Sequence, residues 1–227
     1  MKTKFITCFD MDGTLISIRS SWEFIHSILG TEEEAARYRL MYEGGEIDYG
    51  KWAELDVSTW RGKDFSEVLR RIDEVELTEN SEEAVKMLKS SGFIVGVISS
   101  GIDVVARKVC EKLEMDFCES AKLLIEGNEV KGLISDLPPH EKGEVLASIA
   151  SKYGVPLRRV AFVGDGDSDL SIFEMDLGLK IAFRPRSERI VKLSHLVVRD
   201  LLEASRVVID WAKGTEQFEV IGNGFKN

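Results

Sequence analysis

The chain has 227 residues, with 30 Lys and Arg against 40 Asp and Glu, which gives a net charge of −10. This length supports one large domain or one domain with an insertion, and the hydrophobic share of 44% is that of a globular protein. The acidic excess argues against binding to nucleic acid or to an anionic membrane surface, because both are recognised by clustered Lys and Arg.

Five short runs rich in Val, Ile and Phe are typical of buried parallel strands. They are Phe5–Phe9, Phe93–Ile98, Val160–Val163, Leu179–Phe183 and Leu196–Val198. Amphipathic stretches of helical length lie between several of them, namely 81–92 (capped by Asn80 or Ser81), 102–113, 143–153 and 200–211. Strands that alternate with helices predict an α/β fold with a doubly wound, Rossmann-like parallel sheet.

Residues 16–78 interrupt this alternation, because they contain no convincing strand. Four short helices are predicted there, at Ser21–Leu29, Thr31–Glu43, Tyr49–Trp60 and Phe65–Val75. We interpret this stretch as a small helical cap inserted after the first strand. Residues 1–15 and 79–213 are then the α/β core, and 214–227 are a C-terminal tail. A β-hairpin is predicted where Leu123–Glu126 and Val130–Ile134 flank Gly127-Asn128.

The three cysteines, Cys8, Cys110 and Cys118, form a sparse and odd-numbered set without a CxxC pattern. Such a set favours a reducing compartment over a disulfide framework. The N-terminal apolar run is too short for a signal-peptide core, and no run of about 18 apolar residues occurs, so the expected location is cytoplasmic.

Polar residues follow three of the predicted strands, at the sheet edge where open α/β folds bind ligands. The three segments are Asp10-Met11-Asp12-Gly13-Thr14, Ser99-Ser100-Gly101 and Gly164-Asp165-Gly166-Asp167-Ser168-Asp169, and Lys142 opens the helix before the third strand. Carboxylates this close repel one another, and a hard divalent cation such as Mg²⁺ is the usual remedy. Metal, carboxylates, a hydroxyl, a helix N-terminus and a lysine together equip a site for phosphoryl transfer.

Other interpretations of these segments match the sequence less well. An EF-hand loop from Asp165 needs Gly at its sixth position and Glu at its twelfth, where the chain has Leu170 and Asp176. A dinucleotide fingerprint needs a third Gly where Asp169 stands. Each segment alone is compatible with an Asx turn, a helix cap or a solvated lysine. Their ordered occurrence at successive strand ends is what points to chemistry.

These residues resemble the four motifs of the haloacid dehalogenase superfamily, and most closely its phosphoserine phosphatase branch, which has a small helical cap after the first motif. The resemblance covers residues 4–210. It implies that Asp10 is the nucleophile that becomes an aspartyl phosphate. It implies further that Asp12 protonates the leaving alcohol and then activates water.

The resemblance also implies the groups that bind phosphate and metal. Ser99 and the Gly101 amide would hold phosphate oxygens, with Ser100 as the alternative hydroxyl, and Lys142 would neutralise charge between nucleophile and phosphate. The implied Mg²⁺ site consists of Asp10, Asp12 through its backbone carbonyl, Asp165, and Asp169 through the loop or a bound water.

The cap departs from the family pattern. Phosphoserine phosphatases use a Glu shortly after the first motif for the substrate ammonium and a cap Arg for its carboxylate, and the corresponding positions here hold Arg19 and Glu54. This exchange of charges disfavours phosphoserine. The alternative is that the two side chains form a surface ion pair. Asp167 is an extra acid without an assigned role, and His140 is interpreted as an exposed loop residue.

The resulting prediction is a Mg²⁺-dependent phosphomonoester hydrolase that acts on a small phosphorylated metabolite, as a monomer or homodimer. Two alternatives stay open: a phosphotransferase with the same phosphoenzyme, and a non-catalytic Mg²⁺- or anion-binding regulatory protein. Intact Asp10, Asp12 and Lys142 speak against the second. The tryptophans Trp22, Trp52 and Trp60 are interpreted as cap core rather than as a stacking platform.

Overall fold

The computed structural model describes the backbone of residues 4–224 and the side chains of residues 4–215. In this part of the chain seven strands form one sheet: β1 (Ile6–Phe9), β2 (Ile94–Ile102), β3 (Phe117–Glu126), β4 (Glu129–Ser135), β5 (Val160–Gly164), β6 (Leu179–Phe183) and β7 (Leu196–Val198). Their order is β4-β3-β2-β1-β5-β6-β7, and all neighbours are parallel except β3 and β4. The predicted α/β fold with a doubly wound sheet is confirmed.

The central strands are buried on both faces, which explains their continuous apolar runs. Every residue of β1 and of β5 is buried. β1 lies between β2 and β5, with Ile6 opposite both Ile94 and Val160. Strands with both faces covered have no polar face, so they show no alternation in the sequence. The ends of these three strands therefore meet at the middle of one sheet edge.

Four helices follow β1, as the sequence predicts: α1 (Ser21–Leu29), α2 (Glu32–Glu43), α3 (Tyr49–Trp60) and α4 (Ser66–Arg71), the last continued by a 3₁₀ turn at Ile72–Glu74. The Ser20 side chain accepts from a backbone N–H of the first turn of α1, and Asp48 does the same for α3. Trp60 is fully buried in this layer, as expected of a core residue. The predicted division into core, cap and tail stays a prediction.

Six further helices flank the sheet: α5 (Ser81–Ser90), α6 (Asp103–Lys112), α7 (Lys142–Lys152), α8 (Leu170–Phe173), α9 (Glu188–Leu193) and α10 (Leu201–Gly224). Asn80 stands at the N-cap of α5 in the left-handed conformation and makes no side-chain cap bond, and its amide nitrogen donates to the Asp200 carboxylate. No helix within residues 4–224 has both the length and the apolar character needed to cross a bilayer.

Three predicted boundaries are wrong. β2 extends to Ile102, so Ser99-Ser100-Gly101 belongs to the strand and α6 begins only at Asp103. β3 begins at Phe117, six residues before the predicted hairpin strand, because its first half pairs in parallel with β2 before its second half pairs with β4. α10 continues to Gly224 rather than ending at Trp211, and it passes through most of the predicted tail.

Cys110 in α6 and Cys118 in β3 form a disulfide, so the expectation of unpaired cysteines is wrong for these two. The turn between α6 and β3 brings their Cα atoms to 6.3 Å, a separation that a disulfide spans. Cys8 is buried and free. The sequence spacing alone contains no sign of this pairing, because the pairing depends on how the helix docks beside the strand.

Candidate active site

Asp10 follows β1 directly and is buried. Its backbone N–H donates to the end of β5 at 2.9 Å, which continues the parallel pairing. The chain then wraps around the Met11 carbonyl, which accepts from the N–H groups of residues 14–16. Gly13 has φ +78°, and a Cβ there would lie 2.5 Å from Asp165 Oδ2. The glycine thus lets the loop after β1 lie against the loop after β5.

Asp12 is held by the first residue of α1. Its Oδ2 accepts from the Ser21 N–H at 2.8 Å and from the Ser21 hydroxyl at 2.9 Å. The same hydroxyl accepts from the Ile102 N–H at 3.0 Å. A Cβ at Gly101 would lie 2.4 Å from Ser21 Oγ, so only glycine permits this close approach. Burial raises the pKa of Asp12 to about 7.

The end of β2 presents two hydroxyls and one amide. Ser99 Oγ accepts from the Gly101 N–H at 3.0 Å, and Ser100 Oγ is buried without a hydrogen-bond partner among the described side chains. The Ser100 carbonyl accepts from Trp22 Nε1 at 2.9 Å and from the Tyr49 hydroxyl at 3.3 Å. These bonds fix α1 and α3 over the end of β2.

Lys142, the first residue of α7, has no exposed surface. Its Nζ donates to Asp10 Oδ1 at 2.8 Å and also to Asp169 Oδ1. Burial lowers the pKa of Lys142, but the adjacent carboxylates of Asp10 and Asp169 outweigh burial, and the net pKa is raised. Asp169 Oδ2 accepts from the N–H groups of Asp165 and Gly166, at 3.2 and 3.5 Å. Lys142 therefore ties α7 and the loop after β5 to the Asp10 carboxylate.

Carboxylate oxygens of Asp10, Asp165 and Asp169 lie within 4.8 Å of one another. Burial raises the pKa of Asp165 to about 6 and that of Asp169 to about 7. Crowded oxygen donors of this kind fit a hard cation such as Mg²⁺. The Asp12 carboxyl turns Oδ2 to Ser21, while its Oδ1 is buried without a hydrogen-bond partner among the described residues. Arg186 partly neutralises the cluster, because its Nε lies 2.7 Å from Asp165 Oδ2.

A cavity of about 630 Å³ opens above these groups. The predicted site residues in its wall are Asp10, Asp12, Arg19, Ser99, Ser100 and Gly101, and Asp167, for which no role is predicted, also lines it. Lys142, Asp165 and Asp169 are buried beneath it. The residues predicted at the ends of β1, β2 and β5 are thus brought together.

Glu54 lies outside this cavity wall, contrary to the prediction that it binds substrate. Its exposed carboxylate pairs with Lys51, one turn earlier on α3, at 2.8 Å. The predicted alternative, a surface ion pair between Arg19 and Glu54, is not formed either. The prediction for Glu54 rests on its spacing from the first motif, but the rotation of α3 about its axis turns this position to solvent. His140 is exposed, with Nε2 3.8 Å from Glu141, as expected.

The sequence did not identify several residues of the cavity wall. Tyr42, Glu43, Tyr49 and Arg186 line it. Trp22 and Trp52, interpreted as cap core, line it as well, and Trp22 also packs against the core. Ser21 was predicted only as a helix start. The sequence pattern that could have pointed to Ser21 is a hydroxyl at the start of a helix. No sequence pattern marks the aromatic residues as part of the cavity wall.

Comparison with known proteins agrees with this geometry. Residues 7–174 match the family described as haloacid dehalogenase-like hydrolase. A phosphoserine phosphatase of Methanocaldococcus jannaschii is 32% identical over 184 residues, which cover 80% of this chain and 86% of that protein. A phosphoserine phosphatase of Archaeoglobus fulgidus is 31% identical, and the match spans 82% of this chain but 54% of that longer protein.

Two solved structures are similar over most of their length. A substrate-bound phosphoserine phosphatase complex superposes with a TM-score of 0.78 at 29% identity, covering 91% of this chain and 99% of that one. A phospho-aspartyl intermediate analogue of a phosphoserine phosphatase gives a TM-score of 0.75 at 29% identity, with 88% and 95% covered.

The chain therefore belongs to the haloacid dehalogenase-like hydrolase family. Within that family it stands with the phosphoserine phosphatase-like enzymes, and its enzyme class is that of a phosphatase.

Proposed function

We propose that this enzyme is a Mg²⁺-dependent phosphomonoester hydrolase that works through a phosphorylated Asp10. The observation that supports the proposal is the arrangement around that side chain. A buried lysine is bonded to Asp10, the Asp12 carboxyl has a pKa of about 7, and two further carboxylates lie within reach of a shared cation. A nucleophile, a proton donor and a site for positive charge are the three things that cleavage of a phosphate ester requires.

In the first step an Asp10 carboxylate oxygen attacks phosphorus, and the bond from phosphorus to the leaving oxygen breaks. Lys142 holds Asp10 through Oδ1, which leaves Oδ2 for the attack. Asp12 gives its proton to the leaving oxygen as that bond breaks. Because the pKa of Asp12 is about 7, a large share of molecules carries this proton at neutral pH.

In the second step the ionised Asp12 takes a proton from a water molecule, whose oxygen attacks the phosphorus of the aspartyl phosphate. The bond between phosphorus and Asp10 breaks, inorganic phosphate leaves, and Asp12 is again protonated. Ser21 holds Asp12 through two hydrogen bonds to one oxygen, so the same carboxyl is kept in place for both steps.

The phosphoryl oxygens would be held by Ser99, Ser100 and the Gly101 amide, with Lys142 supplying a fixed positive charge. The residues that would hold Mg²⁺ are Asp10, Asp165, Asp169 and the Asp12 carbonyl. When bound, Mg²⁺ supplies the positive charge that stabilises the phosphoryl oxygens in the transition state. Uncatalysed ester hydrolysis is so slow that positioning and charge must provide most of the acceleration, since acid–base help gives only about 10²–10⁴-fold.

The decisive variant is Asp10→Asn, which keeps the shape of the side chain but removes the nucleophile. We expect kcat for p-nitrophenyl phosphate to fall at least about 10⁴-fold with an unchanged circular dichroism spectrum. Asp176→Asn, on the exposed turn after α8, is the control and should keep the wild-type kcat. Chelation should abolish wild-type activity and Mg²⁺ should restore it. Undiminished activity of the Asp10 variant would refute the nucleophile, and hydrolysis in the presence of chelator would refute the metal.

We further propose that phosphoserine is a poor substrate. Arg19 lies in the cavity wall, where its guanidinium disfavours a substrate ammonium. Glu54 lies outside the wall, so this expectation rests on Arg19 alone. A panel of phosphorylated metabolites tests it, and a panel that ranks phosphoserine first would overturn it.

Adding an alcohol to the same assay separates hydrolysis from transfer, because only a phosphotransferase would form the new phosphate ester.

A further inference from the structure

The cap half of the cavity is lined by aromatic rings. Tyr42, Tyr49, Trp52 and Trp22 all lie in the same wall as the site carboxylates. Tyr42 and Trp52 are stacked, with ring centroids 4.7 Å apart and planes 20° apart. Tyr49 stands nearly perpendicular to both rings, at 80° to each. Together the three rings form a corner with flat apolar surfaces.

This corner is held in place by the protein. The hydroxyl of the buried Tyr49 and the indole N–H of Trp22 donate to the same Ser100 carbonyl, so the polar ends of both side chains are already bonded. The bond from Tyr49 fixes that ring relative to the end of β2, and the rings of Tyr42 and Trp52 pack against it. A surface that is ordered before a ligand arrives loses little conformational entropy on binding.

Net charge does not select the substrate body at this wall, although Arg19 disfavours a cationic group placed beside it. Arg19 and Glu43 are the charged residues on the cap side of the cavity, and neither makes an ion pair with any side chain described in residues 4–215. They offer one charge of each sign. The volume of about 630 Å³ is within the range of pockets that hold ligands much larger than a three-carbon phosphate ester.

We propose that Tyr42, Tyr49 and Trp52 form a subsite for a flat ring in the leaving group. The substrate class is then phosphate monoesters of alcohols that carry an aromatic or heteroaromatic ring. The ring would pack against the Tyr42–Trp52 stack while its phosphate reaches Asp10. This inference rests on the proposed phosphatase function for the orientation of the substrate, but binding of a ring can be measured without turnover.

The first experiment uses phosphonates, which cannot be hydrolysed. We expect benzylphosphonate to bind the Mg²⁺-loaded enzyme about 10- to 50-fold more tightly than ethylphosphonate in calorimetry, since the ring adds buried apolar area and ring contacts. Tyr42→Ala should reduce this ratio below about fivefold. Tyr38→Ala, one turn earlier on α2 and outside the cavity wall, should leave it unchanged. A wild-type ratio under threefold, or equal losses in both variants, would overturn the subsite.

The second experiment measures turnover with benzyl phosphate and ethyl phosphate, whose leaving alcohols have similar acidity. The kcat/KM ratio should match the phosphonate ratio, and it should fall in Tyr42→Ala. Hydrolysis of both esters without preference would overturn the ring subsite and leave the phosphatase function intact. Ring preference in the phosphonates with no hydrolysis of either ester would support the subsite and refute the proposed function.

Discussion

On the sheet side of the cavity the functional groups come from short loops, a strand end and, for Lys142, the first residue of α7. On the cap side the groups come from three helices and the loop before them. The sheet-side groups are tied to one another: Asp10, Lys142 and Asp169 are linked by hydrogen bonds with almost no exposed surface. Two of the cap-side rings, those of Trp22 and Tyr49, are bonded to the sheet side at the Ser100 carbonyl. The first wall is built for one chemistry, and the second is free to change with the substrate.

The largest effect should come from breaking the sheet-side wall at its lysine. Lys142→Met leaves two buried carboxylates without their cation, so we expect kcat to fall at least about 10³-fold for every substrate and stability to fall by about 3–5 kcal/mol. Steady-state kinetics and urea unfolding measure the two effects. Lys152→Met, at the exposed end of the same helix, is the control. An increase in KM with kcat unchanged would show that Lys142 acts only in binding.

The acidic cluster gives the sheet-side wall a dependence on pH. Burial raises the pKa of Asp165 to about 6 and that of Asp169 to about 7, and protonated carboxyls do not bind Mg²⁺. The Mg²⁺ affinity should therefore rise with pH, by up to about a hundredfold per unit below pH 6, where both carboxyls lose a proton, by about tenfold per unit between pH 6 and 7, and levelling off near pH 8. Calorimetry in buffers of different ionisation enthalpy would detect the released protons. An affinity that is constant from pH 5.5 to 8 would contradict the cluster as the metal site.

In the metal-free protein the raised pKa values of Asp165 and Asp169 make stability fall as the pH rises, whereas a carboxylate with a lowered pKa makes stability rise. Between about pH 4 and pH 7 these two carboxyls bind more protons in the folded state than in the unfolded state. Their contribution to stability is therefore greatest at low pH and is lost as the pH rises through 7. Mg²⁺ should flatten this dependence, because it stabilises the ionised forms.

Ser21 joins the two walls, and its removal should have an intermediate effect. Ser21→Ala removes one hydrogen bond to Asp12, so we expect kcat for alkyl phosphates to fall about 10- to 100-fold. The loss should be much smaller for p-nitrophenyl phosphate, whose leaving group needs no proton, and Ser21→Thr should restore activity. The comparison is made on kcat/KM, which does not include the later attack of water, and equal losses of kcat/KM with both substrates would mean that Ser21 supports the fold rather than the position of Asp12.

These cases show where sequence is informative. Asp10 and Asp12 were predictable because they stand in a short pattern directly after a strand, and parallel strands place their ends together. Lys142 opens a helix, and its place in the site was predictable only through the family resemblance. The place of Glu54 was not, because it depends on the rotation of a helix about its axis, and the cap contains no local pattern that sets this rotation. The aromatic corner and the disulfide depend in the same way on how elements pack.

The disulfide lies outside both walls, so breaking it should change stability and not chemistry. Reduction of the Cys110–Cys118 bond, eight residues apart, should lower the free energy of unfolding by about 2–3 kcal/mol, since the unfolded chain regains the entropy of a short loop. Urea unfolding with and without reductant measures this. The Cys110→Ser/Cys118→Ser double variant should match the reduced protein, with kcat within twofold of wild type. A large fall in kcat would contradict this expectation and would mean that the disulfide helps to position the end of β2.

The smallest effect should separate the two cap positions that spacing placed in the site. Glu54→Gln removes an exposed carboxylate that pairs with Lys51, so kcat and KM should both stay within twofold of wild type. Arg19→Gln removes a positive charge from the cavity wall, so KM should rise about three- to tenfold with little change in kcat. The rise in KM should be smaller at high salt, because screening weakens the attraction between Arg19 and a phosphate dianion. Kinetics at two ionic strengths compare the variants. If Glu54→Gln changed KM and Arg19→Gln did not, α3 would be rotated differently when substrate is bound.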